Sequence, residues 1–100
     1  MTDQTCQIEV EIKNANGLHM RPAMQFVDIA SKYKSDISVT NGETTVDAKS
    51  IMQMALLMAG CGTKLVISAK GQDCRQALDE LRELVEEKLF NEPAAEKPNG

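Results

Sequence analysis

The hydrophobic positions along the chain change their spacing several times, and each spacing predicts a different kind of element. Residues 7–12 alternate, with Ile8, Val10 and Ile12 on one side and glutamates between them, which predicts a half-buried strand. In residues 23–30 the apolar side chains recur every three or four positions, which is typical of an amphipathic helix. The chain is therefore expected to begin with a strand followed by a helix.

A hairpin is predicted in the middle of the chain. Ile37 and Val39 alternate with polar residues up to Asn41-Gly42, and residues 44–46 follow as a second short strand. Because Asn-Gly favours a two-residue turn with positive φ at both positions, the two strands are expected to pair through that turn.

A short apolar helix is predicted after the hairpin. Ser50 is followed three positions later by Gln53, the spacing of a capping box at a helix N-terminus. Glycines mark helix ends because they tolerate left-handed conformations, so Gly60 and Gly62 are expected to bracket the end of this helix.

The last part of the chain predicts one more strand and one more helix. Residues 65–70 alternate up to Gly71, and Asp73 is placed to cap a final helix with Gln76 at its third position. One apolar stripe, roughly 120° wide, should pack that helix on the sheet. It consists of Ala77, Leu78, Leu81, Leu84 and Val85.

The element order βαββαβα predicts an α+β fold, in which three helices cover one face of an antiparallel sheet. Residues 1–90 are long enough to close one hydrophobic core and are expected to form a single domain. Residues 91–100 hold two of the three prolines and few apolar side chains, so they are expected to be a flexible tail.

Composition removes several classes of function. With 11 basic and 15 acidic residues, no Trp, one Tyr and two Phe, the chain lacks the basic surface and stacking rings that nucleic acid needs. It has no apolar stretch near the roughly 20 residues that span a bilayer and no leader pattern, so no membrane insertion and a cytoplasmic location are expected.

The cysteines do not form a recognisable framework. Cys6, Cys61 and Cys74 are odd in number, widely spaced and without a CxxC pair, so reduced thiols are expected rather than disulfides or a zinc site. Neither a metal nor another cofactor is expected.

The chain's one histidine lies in the segment with the most chemical information, residues 16–23, Asn-Gly-Leu-His-Met-Arg-Pro-Ala. Pro22 fits the first turn of a helix, so the helix should begin just after His19. The unpaired N–H groups of a helix start bind anions, and the Arg21 guanidinium adds a positive fork for phosphate oxygens. A lone histidine is more often a surface residue or a cap, but this combination favours a phosphate-receiving turn.

This segment resembles the active-site motif of the HPr family, the histidine phosphocarriers of the bacterial phosphotransferase system. Residues 48–52, Ala-Lys-Ser-Ile-Met, are similar to the family's second motif around its regulatory serine, and residues 62–90 are similar to its last strand and helix. The resemblance covers about residues 6–90 and implies an open-faced sandwich of four antiparallel strands and three helices. Met20 departs from the family, which usually has a smaller residue there.

The resemblance implies a phosphoryl carrier rather than an enzyme. His19 would accept a phosphoryl group on Nδ1 from phosphorylated enzyme I and donate it to a sugar-specific enzyme IIA, in sugar uptake driven by phosphoenolpyruvate. Arg21 would act with His19 in transfer, Asn16 and Met20 would support the phosphate, and the protein would act as a monomer.

Ser50 has two compatible interpretations. As a structural residue it caps the second helix. In the family this serine is the target of a serine kinase/phosphorylase, and its phosphorylation weakens transfer through the histidine and promotes binding to a transcriptional regulator.

The second helix is apolar nearly all round, so part of it should stay exposed. Ile51, Met52 and Ala55 are the candidates for a partner-docking patch, because Met side chains adapt to several partners. The alternative is a core helix with a little exposed Met.

Two other functions remain open at this point. The chain could be a regulatory interaction module in which Ser50 carries the main chemistry, or a nitrogen-branch paralogue that shares the histidine motif. Residues 49–52 favour the sugar branch.

Overall fold

The computed structural model describes residues 4–93 and confirms the α+β fold, with a four-stranded antiparallel sheet and helices packed against one face. In chain order the elements are β1 (Thr5–Glu11), α1 (Met20–Ala30), β2 (Asp36–Asn41), β3 (Thr44–Asp47), α2 (Ile51–Ala55), β4 (Lys64–Lys70) and α3 (Cys74–Arg82), then a π-helical turn (Glu83–Glu87) and a 3-10 turn (Leu89–Asn91).

The strand order in the sheet is β1-β4-β2-β3, and each neighbouring pair is antiparallel. Since β4 separates β1 from β2, the chain crosses the sheet through α1 before it adds the hairpin. The alternating apolar residues of the strands point to the helical side, as their spacing predicted. Those that are fully buried are Val10, Ile37, Val39, Val46, Leu65, Ile67 and Ala69.

The helices close the core from one side. α1 buries Pro22, Ala23, Phe26 and Ala30, and every residue of the apolar stripe predicted for the last helix is also buried. That stripe continues from α3 into the π-helical turn, which keeps its last two members facing the sheet. Among residues 4–93, every helix is too short or too polar to span a bilayer.

The hairpin turn differs from its prediction. The register pairs Asn41 with Thr44, so the two turn residues are Gly42 and Glu43, and of these only Gly42 has a positive φ, at 61°. Asn41 is instead the last residue of β2, where its Nδ2 donates to the carbonyl of Leu57 at 2.9 Å. The prediction of a turn at Asn41-Gly42 with two positive φ angles was wrong, because this long-range bond holds Asn41 in the strand.

The cap of α2 is only half of the predicted box. The Ser50 hydroxyl accepts from the Gln53 N–H at 3.3 Å, which confirms the cap. The Gln53 side chain, however, accepts from the Asp47 N–H at 2.8 Å, while the Ser50 N–H donates to the Asp47 carbonyl at 3.1 Å. The N–H groups of Ser50 and Gln53 therefore both have acceptors, but the Ser50 N–H bonds to Asp47 of β3 instead of to the Gln53 side chain.

The predicted side-chain cap of α3 is also wrong. Asp73 stands at the N-cap position but makes no capping bond. Its carboxylate accepts instead from the N–H groups of Lys34 and Ser35, at 2.8 and 3.0 Å, and from the Ser35 hydroxyl. The bond from the Ser35 hydroxyl and the backbone bond from Lys34 lower the pKa of Asp73 despite the opposing effect of burial. Asp73 thus fastens the chain before β2 to the start of α3.

Two boundaries lie elsewhere than expected. α2 ends at Ala55, and the chain turns at Met58, whose φ is 49°, before it reaches Gly60 and Gly62. At the C-terminus, residues 91–93 are part of the fold rather than of a tail, since the Pro93 carbonyl accepts from the Ala15 N–H at 3.0 Å. Residues 94–100 of the expected tail lie outside the described residues.

Candidate functional site

His19 stands at the N-cap position of α1, so the helix begins directly after it, as predicted. Its backbone is extended, with φ −93° and ψ −171°, and its side chain is 41% exposed. Within residues 4–93, no backbone carbonyl accepts from the N–H groups of Met20 and Arg21, and Pro22 has no N–H to satisfy. Two free donors therefore lie next to an accessible imidazole.

The loop before His19 is held by a close backbone contact. Gly17 has a φ of 70°, and a Cβ at this position would lie 2.7 Å from the Ala59 carbonyl oxygen. The next residue, Leu18, donates its N–H to that same oxygen at 2.8 Å. The chain that leaves α2 thereby fixes the approach to His19.

The neighbouring side chains predicted to act with His19 are all solvent-exposed. Met20 and Arg21 form one rim of a surface depression together with His19 and Met24. Asn16 lies in the loop with an exposed side chain. His19, Met20 and Arg21 are thus brought together by the first turn of α1.

Asn14, rather than Asn16, is the asparagine that organises the loop. It is fully buried, and its Nδ2 donates to the Gly17 carbonyl at 2.7 Å and to Glu92 Oε1 at 2.9 Å. Its Oδ1 is buried and finds no hydrogen-bond partner among residues 4–93. An asparagine after a strand predicts a turn, and nothing in the local pattern distinguishes this one from Asn16.

Glu92 is the second residue that sequence reasoning missed. Its Oε1 and Oε2 lie 3.0 and 2.9 Å from His19 Nε2. Burial raises the pKa of Glu92, but hydrogen bonds from His19 and Asn14 and the nearby charge of Arg21 outweigh it and lower that pKa below its usual value. The side chain is therefore a carboxylate at neutral pH. The strongest apolar signal close to it in sequence is Leu89-Phe90, of which Phe90 is fully buried.

The residues predicted on α2 lie on a helix that packs against α1. Ser50 is half-buried at the start of α2, Met52 is 80% exposed, Ala55 is exposed, and Ile51 packs partly against the core. Met54 and Leu57 are buried, whereas Leu56 is exposed. The expectation that part of this apolar run faces solvent is confirmed.

Comparison with known proteins identifies relatives of this chain. A family model described as the PTS HPr component phosphorylation site matches residues 6–87. The phosphocarrier protein HPr of Haemophilus influenzae is 46% identical over 77 residues, which are 77% of this chain and 91% of that protein. The HPr-like protein Crh of Bacillus subtilis is 36% identical over 83 residues, which are 83% of this chain and 98% of that protein.

A solved structure shows the same fold. The crystal structure of HPr-C-His from Thermoanaerobacter tengcongensis has a TM-score of 0.82 and 41% identity, and the match covers 87% of this chain and 97% of that chain. The resemblance inferred from the two sequence motifs is confirmed. The chain belongs to the HPr family of phosphocarrier proteins of the phosphotransferase system.

Proposed function

We propose that this protein accepts a phosphoryl group on His19 from phosphorylated enzyme I and donates it to a sugar-specific enzyme IIA. One observation carries the proposal: an exposed imidazole stands at the start of α1 beside two N–H groups without an acceptor in the described chain. The positive end of the helix would stabilise the charge of the phosphoryl oxygens. The protein then holds the group covalently and transfers it unchanged.

The geometry supports Nδ1 as the atom that receives the group. Nε2 already faces the Glu92 carboxylate, which leaves Nδ1 as the other ring nitrogen. As the Nδ1–P bond forms, the donor's bond to phosphorus breaks and the donor atom keeps that electron pair. The exposed Arg21 guanidinium would bind the phosphoryl oxygens, and Asn16 and Met20 would line the approach.

The partner-docking surface proposed for this protein is the exposed part of α2. Met52 and Ala55 are open to solvent and Ile51 is half-buried, so a partner can cover apolar area there. Met20 and Met24 are exposed on the adjoining α1, at 56% and 53%. Flexible Met side chains on both helices suit a protein that must fit a donor and then an acceptor.

Phosphorylation by enzyme I and phosphoenolpyruvate tests the carrier function. Wild-type protein should become labelled with one phosphoryl group that is labile in acid and stable in alkali. His19→Ala should take no label, and Arg21→Ala should take it more slowly while remaining folded. Persistent labelling of His19→Ala would remove His19 from the proposal.

The sugar-uptake role is tested at the acceptor. Labelled protein should pass its phosphoryl group to sugar-specific enzyme IIA domains faster than to the acceptor of a nitrogen branch. The reverse preference would assign the chain to that branch and would leave the carrier chemistry intact.

Phosphorylation at Ser50 is the second function that we propose, and it would regulate phosphoryl transfer through His19. Its hydroxyl lies at the surface end of α2, next to Met52, where added charge would disturb a docking partner. The similarity to Crh, described as the catabolite repression HPr of Bacillus subtilis, as well as to HPr phosphocarriers supports a regulatory as well as a carrier role.

The matched control for this test is Ser50→Asn, because asparagine caps helices about as well as serine but has no hydroxyl to phosphorylate. A serine kinase of this system should label wild type and leave Ser50→Asn unlabelled. Labelled wild type should also receive the phosphoryl group from enzyme I more slowly. Equal labelling of the two proteins would contradict the assignment.

A further inference from the structure

The backbone changes its conformation sharply just before Glu92. Leu89, Phe90 and Asn91 have φ values of 49°, 55° and 59°, so three consecutive residues other than glycine adopt the left-handed conformation. Even a single residue other than glycine seldom adopts this conformation. A run of three persists only where the surrounding structure holds it. The contacts of this segment therefore indicate what this conformation achieves.

The segment is fastened by one buried ring and by three hydrogen bonds. The Phe90 ring is fully buried, and the Phe90 carbonyl accepts from Gln25 Nε2 of α1 at 3.0 Å. Asn91 Nδ2 donates to Gln25 Oε1 at 3.2 Å. Beyond Glu92, the Pro93 carbonyl accepts from the N–H of Ala15 at 3.0 Å. The backbone on both sides of Glu92 is thus tied to α1 and to the loop before His19.

The Glu92 carboxylate is itself held on two sides. Oε1 accepts from the buried Asn14 amide at 2.9 Å, and both oxygens lie within 3.0 Å of His19 Nε2. The side chain of Glu92 is only 11% exposed, whereas that of His19 is 41% exposed. A fixed carboxylate therefore faces one nitrogen of a ring whose remaining surface is open.

We infer that Glu92 is a positioning residue for His19, which holds the hydrogen on Nε2 and so leaves Nδ1 with its lone pair free. This inference rests on the proposed carrier function. An ionised carboxylate only accepts hydrogen bonds, so the nitrogen that faces it must be the one that carries hydrogen. Asn14 acts one step further away by fixing the carboxylate, in the way that outer partners fix the orientation of a histidine ligand.

The same hydrogen bond assists transfer in both directions. As Nδ1 bonds to phosphorus and the donor's bond breaks, the ring gains positive charge, and Nε2–H becomes a stronger donor to Glu92. When the group is passed on, the Nδ1–P bond breaks and its electron pair returns to Nδ1. The hydrogen stays on Nε2 throughout, so the ring needs no separate proton transfer in either step.

Nitrogen-15 NMR of the full-length protein with the ring neutral tests this role directly. Wild type should carry its ring hydrogen on Nε2, and Glu92→Ala should shift the population toward Nδ1–H. Phosphorylation of Glu92→Ala by enzyme I should be slower by about tenfold, the equivalent of one charge-assisted hydrogen bond.

Glu87→Ala is the matched control, because Glu87 is an exposed carboxylate on the same C-terminal stretch and pairs with Arg82 at 3.5 Å. It should change neither the tautomer nor the rate. A wild-type hydrogen on Nδ1, or slower transfer in Glu92→Ala with the wild-type tautomer, would overturn the positioning role. A Glu92-dependent tautomer in a protein that enzyme I fails to phosphorylate would support the positioning of the ring and overturn the carrier function.

Discussion

Gly17 lies where the loop that carries His19 comes closest to the chain leaving α2. Its φ of 70° belongs to the left-handed region, and a side chain would meet the Ala59 carbonyl and the Gly60 backbone at 2.7 and 2.8 Å. The backbone of Ala59 cannot move aside easily, because the Leu18 N–H is bonded to the same oxygen. Because glycine has no Cβ, the loop at Gly17 can pack directly against the backbone of Ala59 and Gly60.

Gly17→Ala should lower the free energy of unfolding by roughly 2 kcal/mol or more, since backbone strain and a steric clash add together. Gly42→Ala is the matched control, because Gly42 also has a positive φ but has open space around its Cβ position. It should cost only about 1 kcal/mol. Urea unfolding of both variants measures the difference, and equal losses would show that the close contact contributes nothing.

At this scale the sequence predicted the position of His19 at a helix start but not the residues that contact its side chain. Pro22 and the apolar spacing after it place His19 at a helix start, because both are local properties of the chain. Asn14 and Asn16 are two asparagines in the same loop, and only tertiary contacts decide which is buried. The carboxylate on Nε2 comes from 73 residues away, and no local rule reports such a contact.

α2 shows how much one capping residue matters in a short element. The helix has five residues, so the bond from the Gln53 N–H to the Ser50 hydroxyl satisfies a large share of its free donors. The apolar run predicted a helix up to the glycines, but the chain leaves the helix after Ala55 to bury Leu57 and Ala59. The spacing of the apolar residues alone does not predict that the helix ends at Ala55.

Ser50→Ala should lower the free energy of unfolding by about 1 kcal/mol, whereas Ser50→Asn should stay close to wild type. Thermal or urea unfolding of both variants in the unphosphorylated state is the measurement. Equal stability of all three proteins would show that the hydroxyl does not act as a cap. That result would leave phosphorylation as the remaining role for Ser50.

At the scale of the whole molecule, long-range polar contacts join elements that also pack through the apolar core. The Glu80 carboxylate on α3 accepts from Lys32 Nζ at 2.6 Å and from the Tyr33 hydroxyl, both in the turn that follows α1. The hydrogen bond to Glu80, together with burial and nearby negative charge, raises the pKa of Tyr33 to about 12. Tyr33 therefore stabilises the fold in its neutral form.

Wild type should lose stability as pH rises from about 10 to 12, because in that window the unfolded tyrosine ionises and the folded one does not. Tyr33→Phe should be less stable by about 1 kcal/mol at neutral pH, the value of one hydrogen bond. The gap between the two proteins should narrow across the alkaline window. Unfolding free energies measured from pH 8 to 12 check this, and a constant gap would contradict the role of the phenol.

The whole-molecule prediction succeeded because strand and helix periods report which face of each element is buried. Five changes of period and one predicted hairpin turn were enough to give the α+β order, and the sheet and helices followed from it. The C-terminal boundary failed for the opposite reason. Proline and polar composition describe residues 91–93 as tail-like, but the buried Phe90 and the Pro93 carbonyl hold them against the fold.

The place of Glu92 near the end of the described chain has a consequence for biosynthesis. A ribosome adds Glu92 73 residues after His19, so the nascent chain carries its imidazole before the carboxylate that faces it exists. A chain released too early, after α3, would retain every strand of the sheet yet present a histidine free to exchange its hydrogen between both nitrogens. In this protein, the hydrogen would thus become fixed on Nε2 only after translation has passed residue 92.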